Sequence, residues 1–312
     1  MTTRGAHAPT DVSVVIATRD RPEMVREAVT AVLDQEFDGR VEVLVVFDQS
    51  DPDVALATMA RGSDRTVQLL SNTRTPGLAG ARNTGILAAT GTYVAFCDDD
   101  DYWLPGKLTR QVAALAAAPE ASLCTCGIEV HWSEGRFPRV LDLERVSFEE
   151  LLRDRHTELH PSTFLMRRSM LLDEVGLVSE ELPGGYGEDY EFLLRNARLS
   201  AVVNLQEPLT VVRWGSQSYF EKKWETVVAG LTWMLERYPE FESEPHGAAR
   251  VHGQVAFAEA SLGRRRTAMR WARSCLQRNA REPRAALALA VASGAVSSER
   301  VLRLLHARGR GI

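Results

Sequence analysis

Short apolar runs rich in β-branched residues alternate with stretches of helical periodicity through most of this chain. Residues 11–17 (DVSVVIA) and 41–47 (VEVLVVF) are almost continuously apolar. That is the pattern of strands covered on both faces of a parallel sheet. Residues 67–70 and 93–97 repeat it. After the first run, Asp20 offers an N-cap, Pro22 suits a first turn, and Glu23 stands three residues past the cap, which predicts a helix. Met24, Val25, Ala28, Val29, Val32 and Leu33 give that helix one apolar face. Further helices are predicted over residues 81–89 and 104–118, the latter stopped by Pro119. Strands separated by helical crossovers imply a parallel sheet wound in the right-handed sense.

Beyond Pro119 the pattern loosens. Residues 128–143 alternate as a hairpin around Ser133-Glu134-Gly135, residues 148–153 read as a short helix, and residues 162–166 as a strand. Residues 169–175 read as a helix closed by Gly176. A glycine-rich stretch, Leu182-Pro183-Gly184-Gly185-Tyr186-Gly187, delivers Glu188 and Asp189 to the first turn of a helix predicted over 190–199. Two strands, 201–205 and 209–213, complete the sheet, and 214–218 is predicted to be a loop. From about Phe220 the periodicity is helical. Residues 256–283 resemble one tetratricopeptide unit without a second copy, so a small helical appendage is expected. The predicted organisation is a disordered 1–10, an α/β domain over 11–215 and a helical region over 216–312.

Polar residues recur where each predicted strand stops: Thr18 after the first, Asp48 after the second, Asp98-Asp99-Asp100-Asp101 after the fourth. In open α/β sheets ligands sit beyond the carboxyl ends of strands. Four adjacent carboxylates beside a buried strand repel one another unless a hard divalent cation neutralises them. The plain alternative is a solvated acidic loop. Composition adds little: 45% hydrophobic and 25% charged residues describe an ordinary globular chain. Four cysteines give no disulfide framework, and Cys124-x-Cys126 lacks the second half of a zinc site. The polar start of the chain contains no apolar signal-peptide core, so a cytoplasmic protein is expected. The net charge of −5 conceals an asymmetry, because residues 246–312 hold 13 Arg against three Glu. That region carries +10 and the remainder −15. Its arginines are read either as a solvated face, or as a peripheral contact with the inner face of a membrane, or as a homodimer contact. Nucleic acid is not expected as a partner, since the basic region lacks interleaved aromatics.

Five stretches, VVIATRDRP, VVFDQSDPD, GLAGARNTGI, YVAFCDDDDYWLPGKL and YGEDYEFLLR, follow one another as in family 2 glycosyltransferases, which the chain resembles over about residues 11–215. The resemblance implies a GT-A (Rossmann-like) α/β fold, a mostly parallel sheet flanked by helices, followed here by the all-helical C-terminal region. It implies a nucleotide-sugar donor across the strand ends, with UDP the default and dTDP or GDP the alternatives. By the same resemblance Thr18 and Asp48 contact the nucleoside, and Arg82 and Asn83 lie toward the diphosphate. Phe47 and Gln49 depart from the family, which has an acidic residue and glycine there. Asp98 and Asp100 form the D-x-D element, with Asp100 the first choice as ligand of Mn²⁺ or Mg²⁺ and Asp98 on the metal or the ribose. Alternation along an extended chain puts these two on one face. Asp99 is set beside the donor with Asp98, or, like Asp101, merely orients the loop. Glu188-Asp189 matches the family's acidic pair, Asp189 being the general base. His160 is read either as reaching the acceptor or the metal or as a satisfied core or loop histidine; without the resemblance, Asp48 is a turn residue or helix cap, Arg82 a surface ion pair, Trp103 a packing residue and Asp189 a carboxylate on a helix dipole.

The expected reaction is therefore metal-dependent, inverting sugar transfer to a saccharide, lipid-linked or small-molecule hydroxyl. A nucleotidyltransferase on a similar fold is a rival, but Thr18-Arg19-Asp20-Arg21-Pro22 lacks the glycine-rich signature of such enzymes. A silent sugar-nucleotide-binding scaffold is a second rival, opposed by the intact acidic elements.

Overall fold

The structure, a computed structural model, describes residues 11–132, 135–214 and 223–306. The N-terminal segment predicted to be disordered, the hairpin tip at Ser133 and Glu134, and residues 215–218 of the predicted loop lie outside the described residues. The chain divides into two compact units. One comprises Met1–Phe148, His156–Glu180 and Phe192–Gly215; the other comprises Glu149–Arg155, Glu181–Glu191 and Ser216–Ile312.

The first unit is built on a mixed sheet. Strands β1 (Val12–Thr18), β2 (Val41–Phe47), β3 (Arg65–Ser71) and β4 (Tyr93–Phe96) run parallel in the order β3-β2-β1-β4. Beyond them come β5 (Tyr102–Trp103), β6 (Leu123–Trp132), β7 (Gly135–Arg139), β8 (Arg145–Val146), β9 (Leu165–Arg167) and β10 (Val202–Arg213). The path continues β4-β9-β6-β10-β5, with β9 antiparallel to both β4 and β6, and β10 parallel to β6. Register aligns Thr18 with Phe47 and Val15 with Phe96, so the polar residues that follow these strands share one edge. Helices α1 (Pro22–Leu33), α2 (Leu78–Ala88) and α3 (Lys107–Ala117) make the crossovers. Val12, Val14, Ile16, Val43 and Val45 pack with Val25, Ala28, Val29 and Val32 of α1 in the main core. The apolar spacing of α1 places these residues inward, as its 3.6-residue period requires.

Several expectations shift. Asp20 does not cap α1: its φ is +54°, and the cap position falls on Arg21 without a side-chain bond. Met24 is exposed rather than part of the apolar face. The strand predicted over 162–166 becomes a 3-10 turn, Pro161–Thr163, followed by β9, because proline withholds the N–H that a ladder needs. The helix predicted after it is the short α5 (Arg168–Met170) running into a π-helical turn, Leu171–Val175, closed by Gly176 at φ +84°. The two strands predicted over 201–213 are one, β10, whose register slips on either side of Pro208.

The second unit is helical. It holds most of α4 (Phe148–Arg153) and the start of α6 (Glu188–Leu199), with α7 (Trp224–Arg237), α8 (Pro245–Ser261), α9 (Arg265–Arg278), α10 (Pro283–Ser293) and α11 (Ser298–His306). Its core is small-residue packing: Ala249 and Ala256 of α8, Ala272 and Cys275 of α9, Ala285 and Ala288 of α10, around Phe257. Among the described residues no helix is long and apolar enough to cross a membrane.

Candidate active site

In the first unit the parallel strands end in a turn rather than an extended acidic strand. The backbone folds back after Cys97, and Asp101 N–H donates to the Asp98 carbonyl at 3.1 Å. The alternation expected of an extended chain therefore does not apply, and the four carboxylates part company. Asp98 Oδ1 accepts from Arg82 Nη2 at 2.7 Å, with that guanidinium buried beneath the turn. Asp99 Oδ2 accepts from Thr18 Oγ1 at 2.8 Å. Arg21 Nη1 bridges Asp99 Oδ1 at 2.9 Å and Asp100 Oδ2 at 2.8 Å. Asp101, 3% exposed, accepts from Ser162 Oγ at 2.6 Å and lies 3.3 Å from His160 Nδ1. Ser162 Oγ in turn accepts the Asp98 amide at 2.9 Å, and Trp103 Nε1 donates to the Ser162 carbonyl at 2.8 Å. The turn before β9 is thus what supports the acidic loop.

Crowding leaves an electrostatic debt. Burial first, then Asp98 and Asp99, pushes Asp100 above the ordinary carboxyl range. Burial, with Asp98 and Asp100, pushes Asp101 well above it. Oxygen and nitrogen atoms of Asp98, Asp101 and His160 lie within 4.8 Å of one another. Two carboxylates and an imidazole are a donor set that fits Mn²⁺ or Mg²⁺, the carboxylates being hard ligands that a cation would relieve of their repulsion. Of the expected D-x-D pair, Asp98 belongs to this group while Asp100 is engaged by Arg21.

Asp48, following β2, accepts from Asn72 Nδ2 at 2.8 Å, Gly77 N–H at 3.1 Å and Gln49 Nε2 at 3.1 Å. Burial raises its pKa, but these donors outweigh it and hold the carboxyl below its usual value. Gln49 takes φ +54°, the left-handed geometry that glycine adopts without steric cost. Gly80 is also dictated by space: a Cβ there would sit 1.9 Å from the Thr75 carbonyl oxygen. Asn83 is committed internally. Its Nδ2 donates to Val178 O at 2.8 Å and Glu180 Oε1 at 2.7 Å, and its Oδ1 accepts Val178 N–H at 2.9 Å. The amide thereby anchors α2, and with it the adjacent Arg82, to the segment that includes Glu180.

In the second unit, Pro183–Gly185 and Gly187 lead into α6 through left-handed glycines at φ +61°, +72° and +88°. Gly184 has no room for a side chain, since a Cβ would meet Thr226 Cγ2 at 2.3 Å. Glu188 is buried and Asp189 partly so, both on the first turn of α6. Arg155, which follows α4, pairs with Asp189 Oδ2, and Asp189 Oδ1 accepts the Tyr190 amide at 2.8 Å. Tyr190 is fixed by its bond to the Leu151 carbonyl and by Arg250 Nη2 at 3.0 Å. Sequence reasoning overlooked Arg21, Ser162, Glu180 and Arg155, and gave Asp101 only a loop role. Arg21 stands within a stretch already singled out, whereas nothing local marks Glu180 or Arg155.

Comparison with known proteins follows the same lines. The family model described as Glycosyl transferase family 2 matches residues 13–174. The UDP-Glc:alpha-D-GlcNAc-diphosphoundecaprenol beta-1,3-glucosyltransferase WfgD of Escherichia coli is 32% identical over 104 residues, 33% of this chain and 40% of that protein. The succinoglycan biosynthesis protein ExoO of Rhizobium meliloti is 33% identical over 130 residues, 42% of this chain and 36% of ExoO. The matched segment thus spans only about two fifths of the length of these curated relatives. Among solved structures, S. aureus TarS 1-349 in complex with UDP-GlcNAc superposes with a TM-score of 0.63 at 18% identity, covering 91% of each chain. The mannosyltransferase PcManGT of Pyrobaculum calidifontis, in complex with GDP-Man and Mn²⁺, gives 0.58 at 19% identity, over 96% of this chain and 85% of that one.

Proposed function

Because the chain belongs to glycosyltransferase family 2 and has the GT-A fold, we propose that it transfers a sugar, with inversion, from a nucleoside-diphosphate donor to an acceptor hydroxyl. The observation that carries this reading is the shared strand edge that brings Thr18, Asp48, Arg82 and the acidic turn together. The UDP-GlcNAc complex of TarS and the UDP-Glc of the WfgD reaction favour a UDP-sugar. The diphosphoundecaprenol acceptor named for WfgD favours a lipid-linked saccharide.

In this mechanism Asp98, Asp101 and His160 would hold a divalent ion, with Asp100 beside them; the Mn²⁺ of the PcManGT complex supports a metal-dependent reading. Such an ion would supply neutralisation of charge on the departing diphosphate. Thr18 and Asp48 orient the nucleoside. Arg82 stabilises the developing negative charge through charge-assisted hydrogen bonds, while Asn83 holds the helix that presents it. Asp189 takes the acceptor hydroxyl proton as the new C–O bond forms and the bond to the diphosphate breaks. Arg155 pairs with that carboxylate and orients it, and Glu188 stands beside it on the same helical turn.

A thermal-shift screen of UDP, dTDP, GDP, CDP and ADP, each with and without Mn²⁺, tests the donor half. Ligand at a hundred times its Kd stabilises the folded state by about 2.7 kcal/mol, a shift of roughly 5–10 °C for a domain of this size. The expected result is a shift with UDP, enlarged by Mn²⁺ and diminished in Asp100→Ala and Asp101→Asn. No shift with any nucleotide would overturn the reading and leave the acidic motifs as remnants without donor binding.

A further inference from the structure

Helix α9 carries a cluster of positive charge that the described residues balance only at its two ends. From Arg264 to Arg281 the chain has seven arginines and no carboxylate. Two of those at the ends of the helix are neutralised: Arg264 lies 3.6 Å from Glu259 and 3.7 Å from Glu225, and Arg278 lies 2.7 Å from Glu242. Arg266, Arg270 and Arg273 are different. All three are exposed, and none meets a carboxylate at ion-pair distance among the described residues. Their spacing of four and three residues sets like charges side by side on one face, which works against the helix. Met269 and Leu276, 50% and 37% exposed, lie on that same face. The opposite side of α9 is fully used, with Ala268, Ala272 and Cys275 buried against neighbouring helices.

We propose that this outer face of α9 is a docking surface for anionic phospholipid headgroups. Three guanidiniums without a carboxylate partner among the described residues match a layer of phosphates, to which they make charge-assisted bonds. The two interleaved aliphatic side chains have no use in binding free phosphate, but fit the boundary between headgroup and acyl chain while the arginines snorkel outward. A nucleic acid would call for exposed stacking groups, whereas Trp271, the one aromatic residue on α9, is half-buried and packs edge-on against His252 at 4.8 Å between centroids. The cost of crowding like charges is then met at the membrane, where each arginine finds a counter-charge.

The test is co-sedimentation of the full chain with phosphatidylcholine vesicles with and without phosphatidylglycerol, at low and high ionic strength. Binding is expected only with the anionic lipid, and is lost at high salt as screening shortens. Arg266→Gln, Arg270→Gln and Arg273→Gln should each lower partitioning roughly fivefold, and all three together roughly a hundredfold. Should the triple variant fail to fold, the single variants at these exposed positions carry the same test. Met269→Ser/Leu276→Ser is expected to keep low-salt capture but to dissociate at lower salt than wild type. Absence of anionic-lipid binding, unchanged binding by the arginine variants, or equally tight and equally Arg-dependent capture of transfer RNA would overturn the proposal. Because the readout is lipid binding, its failure leaves the donor site untouched.

Discussion

Glu180→Gln is a perturbation whose consequences follow closely from geometry. Glu180 Oε1 accepts from Arg74 Nε at 2.6 Å and from Asn83 Nδ2 at 2.7 Å, and Oε2 accepts the Thr75 amide at 3.3 Å. Burial pushes its carboxyl up, but hydrogen bonds from Thr75, Asn83 and Arg74 prevail and bring it down to about 2. A glutamine keeps one acceptor oxygen and turns an NH₂ toward a group that is itself a donor. One charge-assisted interaction is lost outright, and those that remain become neutral. Arg74 is partly exposed, so solvent screening reduces the effect, and the expected loss at pH 7 is about 1–2 kcal/mol. A carboxyl whose pKa is lower folded than unfolded stabilises the fold above its unfolded pKa of about 4.5, and this is lost as pH falls toward 2. Urea denaturation of wild type and Glu180→Gln across this range should therefore show a gap that is full above about pH 5 and narrows toward pH 3. The same carboxylate holds the loop whose Gly77 amide reaches Asp48, so the donor KM should rise more than kcat falls. Equal stability at pH 7, or a gap that does not narrow in acid, would refute the reasoning.

Other expectations are briefer. Asp189→Asn, which retains the bond from the Tyr190 amide, should reduce transfer by about 10³-fold or more in a product assay, while nucleotide-induced thermal shifts persist. His160→Ala should weaken the Mn²⁺ enhancement of the nucleotide shift by roughly tenfold in Mn²⁺ titration, and Asp101→Asn should do the same while relieving repulsion in metal-free protein. Lys107 is fully buried, 3.8 Å above the Trp103 ring and bonded to Gln111 at 2.7 Å; burial lowers its pKa to about 8. Wild type should accordingly gain up to about 3 kcal/mol as pH rises from 8 to 10.5, and Lys107→Met should lack this rise in denaturation measured across that range.

The α/β class, the parallel run of the first four strands and the shared polar strand edge were legible in sequence; the order β3-β2-β1-β4 was not. An apolar run of β-branched residues and a 3.6-residue period are local signals, and the residues that follow parallel strands must emerge on the same side. The order of the five stretches disclosed the family for the same reason, since each stretch is contiguous. Tertiary structure decided which carboxylate meets which partner. Asp98 joins Asp101 and His160 because the chain turns after Cys97 and a 3-10 segment some sixty residues on packs beneath it. Arg21 reaches Asp99 and Asp100 across 78 and 79 residues, and Asn83 spends its amide on Val178 and Glu180 across 95 and 97. The cap at Asp20 and the inward place for Met24 failed where local preference yielded to the path of the chain. Period and propensity fix what each segment becomes; the pairing of distant polar groups waits on the packing that desolvates them and leaves each buried donor needing an acceptor.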